Sequence, residues 1–194
     1  MPKSISAVIE GKIDEIVVIR ICQVKGLTLK KVLGKKGKGY IDKNLHYLNI
    51  AARNSNWIVI RDLDHDADCP AALRHILLPN PSHLMLFRIA NRAVESWLLS
   101  DLRAFARYFQ VPVREMSEDP DSIDDPKRQV IGLCSKSRSD QIVTGMTPRP
   151  GSGGIVGKSY NPKMMDYALN HWDPEEAAQH SDSLSRCLNR LDQI

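Results

Sequence analysis

One stretch limits the choice of fold more than any other: WIVIRDLDHDADCP, Trp57 to Pro70. An apolar, β-branched run through Ile58, Val59 and Ile60 reads as a buried strand. It then breaks into acids at every second position: Asp62, Asp64, Asp66 and Asp68. Comparable strand-like runs cover 5–9, 27–33 and 83–89. Helical patterns separate them at 12–24, 41–53 and 70–78. The segment from Lys12 to Val24 is ambiguous, because its core IVVIRI also has strand-like content. It is read as a helix, since Ile13, Ile16, Val17, Arg20 and Val24 share a helical face. Strands alternating with helices imply an α/β domain with a mostly parallel, four-stranded sheet flanked by helices.

Past the fourth strand, Asn91 is expected to cap one long helix. Its buried stripe holds Val94, Trp97, Leu98, Leu102, Phe105 and Phe109. Beyond Pro112 the pattern weakens. Residues 115–127 read as an acidic, proline-punctuated loop and 144–158 as a Gly/Pro-rich loop. Helices are expected over 162–171 and 174–191. The chain divides into a catalytic domain over 1–112 and a loop-rich, helical C-terminal extension over 113–194 packed on the same domain.

The chain has 194 residues, 42% of them hydrophobic, enough for one core. A net charge of +4 names no partner by itself. Its distribution is uneven: seven lysines lie between Lys25 and Lys43 against the single acid Asp42, and acids dominate from Glu115 to Asp125. Four cysteines without a C-x-x-C pair fit free thiols in a reducing compartment. The N-terminus lacks a signal-peptide pattern, and no apolar run reaches membrane-spanning length. The expectation is a soluble, cytoplasmic protein with no membrane association.

In open α/β sheets, sites form beyond the carboxyl ends of the strands. Asp62 stands at such an end. In extended chain Asp62 and Asp64 point to the same side. Two carboxylates about 4 Å apart repel by roughly 4 kcal/mol at an effective dielectric near 20. A shared proton or a cation relieves this, and hard oxygen donors suit magnesium or manganese. The other reading is a polar turn whose acids cap the next helix, and Asp68 is assigned that role. An EF-hand is excluded: counted from Asp62, the sixth position is Ala67 and the twelfth Leu73. An aspartyl-phosphatase reading conflicts with Asp66 at the position two after Asp64 and with an earlier β-α unit.

The first strand also ends in an acid, in SAVIEGKIDE, where Glu10 precedes Gly11. If strands one and three are neighbours, Glu10 faces Asp62 and Asp64 across a crevice. Here VIEGKIDE and IVIRDLDHD resemble the two signature motifs of the Toprim domain. That module is found in topoisomerases, primases, RNase M5-type maturases and overcoming-lysogenization-defect nucleases. The likeness covers residues 5–89. FRIANRAVESWLLSDLRAF and WDPEEAAQHSDSLSRCLNRL are similar to a bacterial Toprim-like family classed as a domain of unknown function.

The resemblance implies a Toprim-like Rossmannoid sheet and phosphodiester hydrolysis with Mg2+ or Mn2+. Glu10 would be metal ligand or general acid/base, and Asp62 and Asp64 metal ligands. The chain departs from the family in lacking the usual glycine in the Asp-x-Asp loop. It lacks the partner domains of a topoisomerase or a replicative primase. The function expected is a magnesium-dependent nuclease on DNA or RNA. The resemblance adds anti-phage defence beside a partner ATPase. The alternative is a non-catalytic, metal-binding module that docks nucleic acid or a partner. The sequence leaves the oligomeric state open.

Asp66 and Glu95 are candidate ligands for a second ion. Glu95 reads equally as a solvent-facing helix acid paired with Arg92 or Arg88. Lys35, Lys36 and Lys38 in LGKKGKGY, with Lys12 and Lys158, are candidate contacts to a nucleic-acid backbone, and Tyr40 or Tyr47 a stacking ring. An ordinary solvated lysine loop is the plainer reading. His65 is a candidate proton carrier or orienter. GSGGIVGKS falls short of a P-loop because Ser152 stands where glycine is required.

Overall fold

The computed structural model describes residues 3–151 and 153–194. Ser152, which excludes the P-loop pattern, lies outside the described residues. Four strands form one parallel sheet: β1 (Ser4–Ile9), β2 (Thr28–Gly34), β3 (Trp57–Asp62) and β4 (Met85–Ala90), in the order β2-β1-β3-β4. Three helices make the crossovers: α1 (Lys12–Val24), α2 (Lys38–Ala51) and α3 (Pro70–Leu77). The fold is α/β, with helices on both faces of an all-parallel sheet, consistent with a Rossmannoid architecture.

Alternation along the strands divides the core in two. Ile5, Ala7, Ile9, Ile58, Ile60 and Leu86 face α1 and the C-terminal helices. Val8, Val59, Met85, Phe87 and Ile89 face α2 and α3 through Ile41, Leu45, Leu48 and Leu73. The chain steps from β1 outward to β2, then returns past β1 to start β3 and β4 on the other side. The β1/β3 boundary is therefore the switch point of the sheet, where a crevice opens beyond the strand ends. Ala7 and Val8 of β1 pair with Ile58 and Val59 of β3, so the two acid-bearing strand ends are neighbours.

The second half differs from expectation in several places. The long helix is two, α4 (Val94–Leu99) and α5 (Leu102–Phe109). Asp101 breaks it, because its carboxylate accepts from Ala104 N at 3.1 Å and from Asp173 N at 2.9 Å. Asn91 is not the cap; its amide donates to Asp121 O at 2.6 Å, and Ala93 holds the cap position. Helices α6 (Pro126–Cys134) and α7 (Asp140–Met146) lie mostly over 128–143, for which no element is expected; α6 starts inside the expected 115–127 loop, and α7 runs into the expected 144–158 loop. Helix α8 is Tyr160–Asn170. The last expected helix is split into α9 (Pro174–Ala177) and α10 (Asp182–Leu191), where Ser181 caps Leu184 N at 3.2 Å. The α3 cap is Cys69, whose sulfur accepts from Ala72 N at 3.4 Å, in place of Asp68.

Buried Trp97, Phe105, Phe109, Tyr160, Tyr167 and Trp172 join this half to the sheet's α1 face in one continuous core. All four cysteines are free, and only Cys69 is exposed. No helix among the described residues is long and apolar enough to cross a membrane.

Candidate active site

Beyond the switch point lies a cleft of about 290 Å³, lined by Glu10, Asp14, Asp62, Glu95, Lys12 and Lys127 among others. Its acids come from four elements. Glu10 follows β1, Asp62 ends β3, Asp14 lies in the first turn of α1, and Glu95 in the first turn of α4.

The acids are held by the backbone of neighbouring elements. Glu10 Oε1 accepts from Asp62 N at 2.9 Å. Asp62 Oδ1 accepts from Val94 N at 2.9 Å, at the open N-terminus of α4. Glu95 Oε1 accepts from the Tyr160 hydroxyl at 3.1 Å and lies 3.7 Å from Lys127 Nζ. Asp14 is buried, and its Oδ1 has no hydrogen-bond partner among the described residues. Such an orphaned buried oxygen is rare and costs the group its full desolvation.

Loop chemistry places Glu10. Gly34 has φ +96° and sits so close that a Cβ would meet Ile9 O at 2.2 Å. The 34–37 loop folds over the end of β1, with Lys35 N donating to Ile9 O at 2.8 Å and Gly37 N to Glu10 O at 3.1 Å. Only glycine tolerates both that φ and that approach.

The crowding shows in proton affinities. Burial pushes Glu10 up to about 7, aided by the charges of Asp14 and Asp64 and opposed by the Asp62 amide and Arg61. Burial pushes Asp14 up to about 6, with Glu95 adding to it; its own amide, that of Gly11 and the charge of Lys127 oppose the rise. Asp62 is raised well above the ordinary carboxylate range, first by burial and then by Asp14, Glu95, Glu10 and Asp64. Groups in this state hold protons or attract a cation.

The remaining sequence candidates are placed differently. Asp64 does not share the cleft with Asp62: the strand ends at Asp62, Leu63 turns into the core, and Asp64 adopts φ +47°. The i, i+2 rule requires extended chain and stops applying there. The Asp64 carboxylate instead meets Lys38 Nζ at 2.8 Å, though its charge still reaches Glu10 and Asp62. Asp66 pairs with Lys38 at 2.8 Å and with buried Arg61 at 2.6 Å, and those bonds hold it below the usual carboxylate range. Arg61 also grips Asp42 at 2.9 Å, so Asp66 belongs to an ion-pair network at the rim.

Glu95 is 3% exposed and meets neither Arg92 nor Arg88; its helix turns it inward. Among the lysines, Lys12 lines the cleft. Lys35 binds Glu15 at 2.7 Å, Lys36 lies 5.5 Å from the Tyr40 ring centre, and Lys38 is held by Asp64 and Asp66. Lys158 is exposed just ahead of α8, whose Asn161 lines the cleft. Tyr47 is exposed, and His65 lies 4.0 Å from Asp124 and does not line the cleft.

Asp14 was not anticipated by the motifs. The available signal is its position one turn before buried Val18 on an apolar stripe. Among the described residues, no three His, Cys, Asp or Glu side chains are arranged as they stand to hold a metal ion. No family model, no curated protein and no solved structure matches this chain.

Proposed function

We propose that this chain is a Toprim-like, magnesium-dependent nuclease that hydrolyses phosphodiester bonds of DNA or RNA. The observation that supports this most is the convergence of Glu10, Asp14, Asp62 and Glu95 on one cleft at the sheet's switch point, with Asp14 Oδ1 unpartnered. The donor set is all carboxylate oxygen, which fits magnesium or manganese and not a soft metal. Glu10, Asp62, Asp14 and Glu95 are the residues that would hold the ion, while Asp64, paired with Lys38 outside the cleft, contributes its charge only. When bound, magnesium supplies positive charge that activates water and offsets charge developing on the phosphate.

The chain's own groups do the positioning. Backbone amides fix one oxygen each of Glu10 and Asp62, so both carboxylates are oriented before any ligand arrives. Lys12 and Lys127 offset negative charge where a phosphate backbone would enter. Gly37 also lines the cleft, and a Cβ added there would meet no atom within 4 Å.

Purified Glu10→Gln and Asp62→Asn, assayed with magnesium or manganese on single- and double-stranded DNA and on RNA, should lose cleavage while remaining folded. Full activity in either variant overturns the assignment. A role in anti-phage defence beside a partner ATPase rests on the family likeness alone.

A second reading is a non-catalytic module that binds a metal together with nucleic acid or a protein partner. It is favoured by the pairing of Asp64 with Lys38, which keeps one of the two motif aspartates out of the cleft. Magnesium binding by calorimetry, without hydrolysis of any nucleic acid, would select it.

A further inference from the structure

Strand β4 closes the sheet, with no described strand on its outer side. Helix α3 flanks it on one face and α10 on the other. Between them, at the strand's free edge, lies a cavity of about 420 Å³ that shares no residue with the carboxylate cleft. Arg74 of α3, Arg88 of β4 and Arg186 of α10 line it, against the single acid Asp182. Asp182 is already engaged, accepting from Arg186 Nε at 2.7 Å. Neighbouring Asp121 is engaged too, by Ser181 Oγ at 2.9 Å and Ser183 N at 3.0 Å.

Arg88 is the anomaly. Its Nε is buried without a hydrogen-bond partner, and none of the ion pairs among the described residues includes it. Burial lowers its proton affinity, and the charges of Arg74, Arg190 and Arg186 lower it further. Cys187 lies nearby, but burial pushes that thiol up to about 12, so it is neutral and cannot serve as the counter-charge. Buried charges are ordinarily paired, and an unpaired one is costly. Here a half-buried cation, whose Nε is closed off from solvent without an acceptor, faces a cavity in the company of other cations.

We propose that this cavity binds a phosphate group, clasped by the forked guanidinium groups of Arg74, Arg88 and Arg186. Guanidinium donors match phosphate oxygens two at a time, and a doubly charged oxyanion neutralises several arginines at once. The first turn of α3, through Ala71, presents partial positive charge to the same space. Ala71 and Ile89 add apolar wall, and the cavity exceeds the size of a bare phosphate. The cavity therefore takes a phosphate monoester; on the nuclease reading of the carboxylate cleft, on which this identification rests, that ligand is a mononucleotide or the 5′-phosphate end of a strand.

Isothermal titration calorimetry of the full chain in EDTA at pH 7.5 tests this without any metal in the carboxylate cleft. The probes are inorganic phosphate, a nucleoside 5′-monophosphate, and a dinucleotide with either a 5′-phosphate or a 5′-hydroxyl end. Saturable 1:1 binding of the phosphate-bearing probes is expected, weakened at least tenfold by Arg88→Met. That variant removes an unpaired cation and should melt no lower than the wild type. Should it fail to fold, Arg74→Ala and Arg186→Ala, both at the cavity wall, should each weaken binding instead. Tighter binding of the mononucleotide than of the dinucleotide identifies a small-molecule site. Preference for the 5′-phosphorylated dinucleotide over its 5′-hydroxyl form identifies a strand end. No saturable binding of any phosphate-bearing probe, or affinity unchanged by the arginine substitutions, overturns the proposal. Neither result bears on cleavage by the carboxylate cleft, which Glu10→Gln and Asp62→Asn test separately.

Discussion

Replacing Asp14 with Asn should make the metal-free protein more stable at alkaline pH and weaken its hold on magnesium. Asp14 is 6% exposed, and one of its oxygens has no partner. Burial, then the charge of Glu95, lifts its carboxyl from the ordinary 3.8 to about 6. A difference of that size corresponds to about 3 kcal/mol of destabilisation once the group is ionised. The direction follows from proton counting. A carboxyl with a raised folded-state pKa binds more protons when folded than when unfolded. Its contribution is therefore full below about pH 4 and is lost as pH rises through about 6. Glu10, pushed up to about 7, and Asp62, raised well above the ordinary carboxylate range, act in the same direction. Asn removes the ionisation and keeps an oxygen for the neighbouring amides. It leaves an amide NH2 in need of a partner, which offsets part of the gain. The net expectation is roughly 1–2 kcal/mol of added stability at pH 8 in EDTA, or about 2–8 °C in melting temperature. Near pH 4.5 the two proteins should differ much less. Magnesium should stabilise the wild type at pH 8, because a ligand of the folded state raises stability by mass action, and the variant should gain less. Thermal and urea unfolding at both pH values, with EDTA or magnesium, read all of these. A variant less stable than the wild type by the same margin at both pH values would refute the electrostatic account of the cleft.

Other substitutions probe how the site is held. Arg61→Met removes the buried partner shared by the half-exposed Asp42 and Asp66 and should cost about 1–3 kcal/mol by urea unfolding; no measurable cost would show that the network is not structural. Gly34→Ala forces a Cβ against Ile9 O at a left-handed φ and should cost at least about 2 kcal/mol, visible as a lower denaturation midpoint. Lys38→Ala frees Asp64 and adds one net negative charge near the cleft. It should tighten magnesium binding by threefold to tenfold, about 1 kcal/mol; unchanged affinity in calorimetry would show that the charge of Asp64 does not act on the ion.

The half of the chain before Ala90 was legible because its strands and helices are spelled by unbroken apolar patterns of different period. β3, for example, is apolar from Trp57 to Ile60 and ends in a charge, and α1 begins and ends where its stripe does. Past that point boundaries depend on caps. Asp101, Asp125 and Ser181 each bond a backbone amide three residues on, and each starts a helix. Asp125-Pro126 opens α6 with proline at the first helical position, where its missing N–H costs nothing, yet the same dipeptide reads as loop punctuation. Asn91 looks like a cap by type and is drawn off by Asp121 O, a contact that only the folded chain provides.

The same distinction runs through the acids. Glu10 and Asp62 are visible because each directly follows an apolar strand, and strand ends map onto the crevice of an α/β sheet. Asp64 was misplaced by extending strand geometry two residues past Asp62, where the strand ends. Asp14 and Glu95 lie on helices, where azimuth decides everything. Asp14 and Glu15 are adjacent acids in one helical turn, equally suited by type to a helix N-terminus. About 100° of rotation separates them: Glu15 reaches outward to Lys35, while Asp14 lies on the buried face with Val17, Val18 and Ile21. Glu95 likewise stands one turn before buried Leu98 and Leu99. An acid on an apolar stripe is unfavourable to fold around unless something at its tip compensates the lost hydration. Tyr160 and Lys127 do part of this for Glu95, whereas nothing among the described residues does it for Asp14 Oδ1. That asymmetry is why Asp14, the acid no motif pointed to, is the most sensitive reporter of whether a cation belongs in the cleft.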